Sequence, residues 1–283
     1  MFFNGILRCY PPSNKEPYPM IDLHSHILYG LDDGAKNEAD TLAMLQQAAE
    51  EGIHTIVATP HYIHGAIATT PVNLSRRLFN VKNIAKQHGI PITLLTGSEI
   101  TLDEYTADAL IQELALPLNG SRYVLVELPF TSIPPDTAAI LARLISDGWT
   151  PIIAHPERNA QVLENPAVID PFLQLGCLLQ LNAASVTGHN GREAQDVAKD
   201  LLTTRRAHFI ASDAHSPRSR PPKLAGARRQ TAQWLGETET ARLFDTNPEA
   251  VLADEPLDVP QPLPRKQQPR GVISRILQHI AFY

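Results

Sequence analysis

Short apolar runs alternate with segments of helical period along most of the chain. The apolar runs predict seven strands, at residues 20–27, 55–59, 92–100, 123–128, 151–155, 178–182 and 207–212. Most of these runs are continuously apolar, which is typical of parallel strands that are buried on both faces. The pattern therefore predicts a parallel sheet that is covered by helices.

The segments between the runs have the apolar spacing of amphipathic helices. They predict helices at residues 38–51, 72–88, 106–114, 136–147, 166–175 and 192–204, and then at 223–235, 237–244 and 247–253. Several of these segments stop at a glycine, which readily adopts the left-handed conformation that ends helices. Seven strand–helix units predict an α/β fold with a closed or nearly closed barrel rather than a doubly wound sheet.

The two ends of the chain differ from this pattern. Residues 1–19 contain four prolines and predict an irregular extension before a single domain at 20–255. Residues 256–270 contain five prolines and predict a linker. Residues 272–281 place apolar side chains on one helical face, so the segment 256–283 ends in a short amphipathic helix. That helix either docks on a partner or a membrane surface or packs back on the domain.

Composition narrows the class of protein. A length of 283 residues suits one barrel domain, which typically takes about 250 residues. The net charge of −6 argues against binding of nucleic acid, which needs a basic face. Only Cys9 and Cys177 are present, so no disulfide framework is expected, and no apolar run is long enough to span a membrane. We expect a cytoplasmic protein, with the C-terminal helix allowing a position at the inner face of the plasma membrane.

Polar residues of one chemical kind stand where the strands end. His24 and His26 are two residues apart on the first strand, so both side chains point to one face and can reach one metal ion. Asp22 lies deeper in that strand, where a supporting role is expected. Further candidates end or follow the other strands: His61, Glu99, Glu127, His155, Asp213 and His215. Because barrel active sites lie at the C-terminal ends of strands, we predict one polynuclear metal site there.

Two other positions each allow two interpretations. Asp33 follows the first strand in the sequence Leu-Asp-Asp-Gly, which fits either a plain turn or a ligand-bearing loop. Arg158 offers a planar fork that suits a phosphate, but it could instead form a salt bridge with Glu157 or Glu164. Two further histidines are lesser candidates for contact with a substrate: His64 and His189.

The candidate ligands offer nitrogen and oxygen atoms, and no thiolate is positioned with them. Such a set suits Mn, Fe or Zn, whereas Mg is disfavoured by the imidazoles. The ligands outnumber the needs of one ion, and carboxylates can bridge ions, so two or three ions are expected.

Several motifs resemble those of the polymerase and histidinol phosphatase (PHP) superfamily. They most resemble the bacterial capsule and exopolysaccharide protein-tyrosine phosphatases of the CpsB/CapC type. The motifs occur in order between about residues 20 and 252: Leu-His-Ser-His-Ile-Leu with Asp-Asp-Gly, Thr-Pro-His61, Gly-Ser-Glu99-Ile, Glu127, Ala-His-Pro-Glu-Arg-Asn and Ser-Asp-Ala-His215.

This resemblance carries further expectations. It implies a distorted (β/α)7 TIM-like barrel of the PHP fold, with a trinuclear site that is usually manganese-dependent. It implies that Arg158 grips phosphate, and that the substrate is phosphotyrosine on a bacterial tyrosine kinase controlling capsule or exopolysaccharide synthesis. It implies metal-ligand roles for His24, His26, Asp33, His61, Glu99, Glu127, His155, Asp213 and His215.

The residues also constrain the reaction. Neither Cys9 nor Cys177 is followed by an arginine at the spacing of the cysteine-dependent phosphatase loop, so activated water is the expected nucleophile. Asp33 is a candidate general acid, although a phenolate, with a pKa near ~10, needs little protonation. Three rivals remain: a histidinol-phosphate-type phosphomonoesterase, a PHP nuclease and a non-enzymatic scaffold. The acidic charge argues against the nuclease, and the complete set of candidate ligands argues against the scaffold.

Overall fold

The structure is a computed structural model that describes residues 20–265. The predicted extension at 1–19 and the predicted amphipathic helix at 272–281 lie outside the described residues. None of the helices within 20–265 is long and apolar enough to cross a membrane.

Ten strands form two mainly parallel sheets within the described range. The strands are β1 (Met20–Ser25), β2 (Ile53–Ala58), β3 (His61–Ile63), β4 (Ile67–Ala68), β5 (Thr93–Thr96), β6 (Glu99–Thr101), β7 (Tyr123–Glu127), β8 (Thr150–Ala154), β9 (Leu178–Asn182) and β10 (Phe209–Ala211). One sheet has the order β1-β2-β5, and the other has the order β10-β9-β8-β7-β6-β3-β4. Only the β3–β4 pair is antiparallel, so the predicted α/β class with parallel strands is confirmed.

Helices connect these strands. The α-helices are α1 (Glu38–Glu50), α2 (Pro71–Gln87), α3 (Thr106–Ile111), α4 (Thr137–Ser146), α5 (Ala160–Glu164), α6 (Asp170–Leu175), α7 (Ala183–Val186), α8 (Arg192–Thr203), α9 (Ala225–Leu235), α10 (Glu237–Ala241) and α11 (Asn247–Leu252). The short helices α5 and α7 are absent from the predicted elements. Each begins at an asparagine, Asn159 or Asn182, whose side chain accepts a backbone hydrogen bond from the first turn. That N-cap was the available sequence signal.

The prediction of one unbroken strand at 92–100 is wrong, because β5 and β6 are separate. The chain passes through Gly97 between them, where a Cβ atom would lie 2.7 Å from the Leu118 side chain. A similar interruption follows β2 at Pro60, which has no N–H to donate to a strand ladder. The interruptions matter for the site, because His61 and Glu99 become the first residues of β3 and β6 and pair with each other in register.

Backbone hydrogen bonds continue across these interruptions. The N–H of Thr59 donates to the carbonyl of Ser25 at 2.9 Å, and the N–H of Gly97 donates to the carbonyl of Ala58 at 2.9 Å. The edge strands of the two sheets also meet, since one parallel bridge joins Ser25 to Ala214. The first two bonds extend the β1-β2-β5 sheet past its interruptions, and the bridge between Ser25 and Ala214 joins that sheet to the other one.

Asp22 strengthens the contact between β1 and β10. Its buried carboxylate accepts a hydrogen bond from the backbone N–H of Ser212 at 2.9 Å and another from the Ser212 hydroxyl at 2.5 Å. Just beyond, the N–H of Asp213 donates to the carbonyl of His24 at 2.9 Å. Asp22 thus aligns the two strands that carry candidate ligands, the supporting role that its depth in the strand predicts.

The strands are apolar on both faces, as their continuous hydrophobic runs predict. Along β7, Tyr123 and Leu125 belong to a smaller apolar cluster, while Val124 and Val126 belong to the large cluster under the helices. Because side chains alternate along a strand, Glu127 continues the face of Tyr123 and Leu125. A carboxylate is thereby carried to the end of a buried, apolar strand.

The described part of the predicted linker packs against the domain. The N–H of Leu263 donates to the carbonyl of Thr204, and the carbonyl of Leu263 accepts from the Arg206 side chain. Arg265 donates to the carboxylates of Asp170 and Asp200 at 2.6 and 2.9 Å. Residues 256–265 thus follow the domain surface without regular secondary structure.

His208 gives the fold a pH dependence that is separate from the candidate site. It precedes β10, and its buried Nδ1 accepts a hydrogen bond from the N–H of Leu179 at 3.0 Å, which requires a neutral ring. Burial, with a smaller effect of Arg242, lowers the pKa of His208 from 6.5 to about 3. The unfolded chain therefore binds this proton more readily than the folded chain does. The stabilisation from His208 is present above pH 6.5 and is lost as the pH falls toward 3.

We expect this loss to reach about 1.4 kcal/mol per pH unit below pH 6. The His208→Asn variant should be less stable than the wild type at pH 7, and the difference should shrink as the pH falls to 4.5. Urea unfolding followed by circular dichroism at a series of pH values measures both proteins. If the stabilities of the two proteins changed with pH in parallel, His208 would not be the source of the pH dependence. The carboxylates cannot produce a difference, because they titrate alike in both proteins.

Candidate metal centre

The strand ends bring the nine predicted ligands into one cluster. Among the described residues, four overlapping groups offer ligand atoms that lie within 4.8 Å of one another: His26 with Asp33, His61 and His215; His24 with His26 and Asp213; His24 with Glu99 and His155; and His61 with Glu99 and Glu127. Each of the nine occurs in at least one group. Their roles as ligands stay a prediction, but their convergence is a feature of the fold.

Glu99 lies at the middle of the cluster. Its Oε2 is 3.1 Å from Nε2 of His24 and 3.0 Å from Nε2 of His26, while its Oε1 is 3.0 Å from Nε2 of His155. The two histidines of the first strand converge as their spacing predicts, with their Nε2 atoms 3.1 Å apart. The two oxygens of Glu99 therefore face different groups, as expected of a carboxylate that bridges two ions.

The chemistry of the cluster fits divalent cations. Three of its buried polar atoms have no hydrogen-bond partner: Oε2 of Glu99, Oδ1 of Asp213 and Nδ1 of His61. Buried polar atoms of this kind are costly unless something satisfies them. Converging imidazole nitrogens and carboxylate oxygens are suitable ligands for Mn, Fe or Zn.

The electrostatics of the cluster agree with this fit. Burial lowers the pKa of His155, but the hydrogen bond to Glu99 and the charge of Asp213 outweigh it and raise the pKa to about 9. Burial raises the pKa of Asp213, but the charges of His24, His155 and Arg220 outweigh it and lower the pKa to about 2. The Asp213 carboxylate is thus ionised while His155 holds a proton, which a cation bound by that ring would displace.

Two residues missed by sequence reasoning orient the first pair of histidines. Oδ2 of Asp32 lies 2.7 Å from Nδ1 of His26, and Oε1 of Gln180 lies 2.8 Å from Nδ1 of His24. Each oxygen accepts from an Nδ1–H, which leaves Nε2 of both rings free to bind a metal. Asp32 also accepts from the backbone N–H of Gly34 and of His61 at 2.9 and 3.0 Å.

The two adjacent aspartates therefore have different positions. Asp32 lies inside the cluster against His26. Burial raises the pKa of the Asp32 carboxyl, but the hydrogen bond and the charge of His26 outweigh this effect and lower it. The Asp33 side chain is 64% exposed, and its Oδ1 lies 3.4 Å from Nε2 of His61 and of His215. Asp33 thus stands at the solvent side of the cluster, where a general acid would meet a leaving group.

Arg158 also reaches the cluster. Its NH1 donates to Oδ2 of Asp213 at 3.1 Å, so the alternative of a salt bridge with Glu157 or Glu164 is wrong. Glu157 is buried and accepts from the backbone N–H of Asn182. Asp213 Oδ2 also accepts from Arg220 at 2.5 Å. Arg220 is a second guanidinium that sequence reasoning missed, and its signal was the basic run Ser-Pro-Arg-Ser-Arg-Pro-Pro-Lys after His215.

An exposed aromatic ring lies beside this arginine. Phe130, which is 46% exposed, is nearly parallel to the His155 ring with the centroids 5.7 Å apart. The Arg158 guanidinium carbon lies 4.8 Å from the Phe130 ring centre. Asn159 fixes the loop that carries Phe130, since its side chain donates to the carbonyl of Pro129 at 2.6 Å. The ring and the guanidinium thus border the cluster together.

Two strand-end residues adopt left-handed backbone conformations. His155 has φ 29° and Asp213 has φ 52°, both positive. Histidine and aspartate adopt this conformation more often than most residues do. It still costs free energy, which contacts with the surrounding structure must offset. These turns aim both side chains into the cluster, and no sequence pattern predicts them.

Three further histidines and the described cysteine lie outside the cluster. His64 is exposed and stacks on Tyr105 with the ring centroids 4.1 Å apart, while His54 lies near the beginning of β2 and His208 lies just before β10. Cys177 is buried, and burial raises its thiol pKa to about 12. It stays protonated and cannot serve as a nucleophile.

The fold and the cluster define an α/β protein with a candidate metal centre of nitrogen and oxygen ligands at its strand ends. The sequence profile of the capsular polysaccharide synthesis family CpsB/CapC matches residues 20–253. The chain belongs to the CpsB/CapC family, so the resemblance drawn from the motifs is confirmed.

Relatives of known name agree with this assignment. The chain is 31% identical over 250 residues to the tyrosine-protein phosphatase YwqE of Bacillus subtilis, covering 88% of this chain and 98% of YwqE. It is also similar to a crystal structure from the study of YwqE and of CpsB from Streptococcus pneumoniae, described as unique metal-dependent tyrosine phosphatases. That structure has a TM-score of 0.84 and 31% identity, over 88% of this chain and all of the other.

A more distant structure shares the fold alone. The histidinol phosphate phosphatase of Lactococcus lactis, with zinc, L-histidinol and phosphate bound, gives a TM-score of 0.50 at 13% identity, over 77% of this chain and 93% of that one.

Proposed function

We propose that this protein is a metal-dependent protein-tyrosine phosphatase. The observation that carries the proposal is the cluster of nine candidate nitrogen and oxygen ligands, most of them buried, beside the Arg158 guanidinium. Family membership and the tyrosine phosphatase activity named for YwqE support it. The chemistry is hydrolysis of a phosphomonoester, with the phosphate bound by the cluster and by the arginine.

We infer that the two sheets form one distorted (β/α)7 barrel of the PHP fold. If the antiparallel β4 is left out, and β2 with β3 and β5 with β6 are each counted as one interrupted strand, seven strand positions follow in chain order from β1 to β10. Hydrogen bonds across the interruptions and the bridge between Ser25 and Ala214 support this closure. The barrel then spans most of a domain at 20–255.

We assign metal-binding roles to the nine residues of the cluster and expect two or three ions. Manganese is proposed, and iron or zinc would also suit the ligands. When bound, such ions activate water and neutralise charge on the phosphate. Asp32 and Gln180 hold His26 and His24 in the tautomer that leaves Nε2 free.

The chain's own residues then orient and protonate the substrate. Arg158 presents a planar pair of N–H donors that stabilises the charge developing on the phosphate oxygens. Arg220, held on the same Asp213 carboxylate, adds a second positive charge. Asp33, at the solvent side, has an alternative to its ligand role: a protonated Asp33 that binds no ion would give its proton to the leaving oxygen, although a phenolate needs little help.

Phe130 supports an aromatic leaving group. Its exposed ring borders the centre and can stack on the phenyl ring of a phosphotyrosine, a contact worth roughly 0.5–1.5 kcal/mol. We expect Phe130→Ala to lower kcat/KM for a phosphotyrosine peptide by about 3- to 10-fold. Kinetics with glycerol 2-phosphate, an alkyl ester, supply the comparison.

Turnover of the alkyl ester should change less in this variant than turnover of the peptide. An equal loss for both substrates would show that Phe130 only positions its neighbours. Phe130→Leu is the matched variant, since it keeps an apolar side chain and removes the ring.

The biological substrate is proposed from the family. Its profile describes capsular polysaccharide synthesis, which supports phosphotyrosines on a bacterial tyrosine kinase of capsule or exopolysaccharide synthesis as the target. The cytoplasmic location and the contact of the C-terminal segment with a partner or membrane stay predictions.

The test of the proposed function is phosphate release after metal removal. The full chain is stripped with a chelator and assayed on a phosphotyrosine peptide and on histidinol phosphate, with and without Mn²⁺. We expect no turnover without metal and restored turnover with Mn²⁺, with the higher kcat/KM for the peptide.

The rivals give different results. A preference for histidinol phosphate would keep the metal centre but make the protein a small-molecule phosphatase. Turnover that survives complete metal removal would contradict the assignment itself. Inactivity on both esters, with Mn²⁺ bound, would leave the nuclease and the scaffold to be tested.

A further inference from the structure

A cavity of about 500 Å³ adjoins the metal centre. Its wall includes Asn182 at the end of β9 together with Ser212 and Asp213 just after β10. It therefore opens at the same ends of the strands as the cluster. The rest of its wall comes from Glu51, from α7 and the loop after it, from the loop that follows His215 and from the beginning of α9.

This cavity is strongly basic in an acidic protein. Arg218, Arg220, Lys223 and Arg229 line it, although the net charge of the chain is −6. Among the described residues, no carboxylate forms an ion pair with Arg218, Lys223 or Arg229. Three positive charges at the wall are thus available to a ligand.

The acidic side chains of the wall are already engaged. Asp213 accepts hydrogen bonds from Arg220 and Arg158, so its charge is used at the metal centre. Glu51 accepts from the backbone N–H of Ala225 at 2.8 Å. Four cations thus face two carboxylates in this wall, so the cavity keeps a net positive charge.

The basic loop is held in place before any ligand arrives. Ser216 Oγ accepts from the N–H of Ser219 and of Arg220 at 3.1 and 3.2 Å, and the Gln47 side chain donates to the carbonyl of Pro217 at 3.0 Å. Three prolines in the loop restrict its backbone further. A preorganised loop loses less conformational entropy when it binds a ligand.

Two neighbouring arginines on α9 differ in their surroundings. Arg228 is buried and donates to Asp245 at 2.9 Å. Arg229, the next residue, is exposed and lines the cavity. Of these two residues, Arg229 is the one that lines the cavity and can meet a ligand.

We propose that this cavity binds anionic groups that flank the phosphotyrosine of a peptide substrate. The inference rests on the proposed function, because Arg220 links the cavity wall to Asp213 of the metal centre. An extended peptide advances about 3.3 Å per residue, so side chains within a few residues of the phosphotyrosine reach the cavity. The anion is either a carboxylate of a neighbouring acidic residue or the phosphate of a second phosphotyrosine.

The test compares three phosphotyrosine peptides on the Mn²⁺-loaded full chain. One peptide has glutamines on both sides of the phosphotyrosine, the second has glutamates, and the third has a second phosphotyrosine. Each kcat/KM is divided by that for 4-nitrophenyl phosphate, so that a general loss of activity cancels. At low salt we expect about a 10-fold higher ratio for an anionic peptide than for the glutamine peptide. The second and third peptides distinguish the two sources of charge.

Two triple variants each remove three positive charges, one from the cavity and the other from α2. Arg218→Gln/Lys223→Gln/Arg229→Gln should abolish the preference and leave Arg220 in place. Arg76→Gln/Lys82→Gln/Lys86→Gln removes three positive charges from α2 and should keep the preference. Equal ratios for all peptides in the wild type, or a preference that survives the cavity variant, would overturn the proposal.

A binding measurement separates this proposal from the phosphatase assignment. Fluorescence anisotropy reports binding of an unphosphorylated glutamate peptide, which cannot be hydrolysed, and binding should weaken as salt screens the charges. If no ester is turned over, the proposed function fails while this measurement still tests the cavity.

Anionic phospholipid vesicles are the last comparison. Vesicle binding that depends on the three cavity residues, without any peptide preference, would overturn the proposal in favour of a membrane surface.

Discussion

Glu99→Gln is expected to lose at least about 1,000-fold in kcat for phosphotyrosine hydrolysis, with the fold retained. Glutamine matches the size of glutamate but removes the charge that faces His24 and His26 on one side and His155 on the other. Without that charge, the site would hold a cation less tightly beside either group of histidines. The variant should therefore bind fewer Mn²⁺ ions per chain, which elemental analysis after gel filtration measures.

A matched control separates loss of metal from loss of stability. Asp245→Asn alters a half-buried carboxylate that pairs with Arg228, away from the cluster. We expect it to lower the melting temperature while leaving the Mn²⁺ content unchanged. Normal Mn²⁺ content and normal turnover in Glu99→Gln would remove Glu99 from the proposed ligands.

Arg158→Ala is expected to lower kcat/KM for a phosphotyrosine peptide by about 100- to 1,000-fold. The guanidinium is anchored on Asp213 and lies beside Phe130, so its fork is aimed before the substrate arrives. Arg158→Lys keeps the charge but loses the planar pair of donors, and we expect it to recover only part of the activity. Steady-state kinetics on the three proteins measure the series.

A control variant and a measurement of metal content test the role of Arg158 further. Arg143→Ala removes an exposed arginine that pairs with Asp108, and its kcat/KM should equal that of the wild type. The Mn²⁺ content of Arg158→Ala should also stay normal, because Arg158 binds no metal. If metal is lost together with activity, Arg158 supports Asp213 instead of gripping phosphate.

The class of fold could be predicted from the apolar runs, because parallel strands buried on both faces need continuous hydrophobic sequence. The interruption of the strand at 92–100 could not. It depends on Leu118, which is distant in sequence and leaves no room for a side chain at Gly97. Likewise, the packing of residues 256–265 depends on Arg265 meeting Asp170 and Asp200 of the domain.

The candidate ligands could be predicted for a related reason. A histidine or carboxylate at the end of a buried strand needs a partner, so its type and position already indicate chemistry. The residues that orient these ligands have no such signal. Asp32 and Asp33 are adjacent acids in one turn, and only the path of the chain places Asp32 against His26. Gln180 resembles any polar residue of a strand until His24 is placed beside it.

The sequence by itself determined the parallel α/β class, the order of the motifs and the chemical type of the centre, because these follow from local periodicity and residue type. Only the tertiary structure decided that Arg158 meets Asp213, that Phe130 borders the centre and that basic residues line a cavity beside it. Those features require residues far apart in the chain to lie within a few ångströms of one another, and that distance is set by how strands and loops pack.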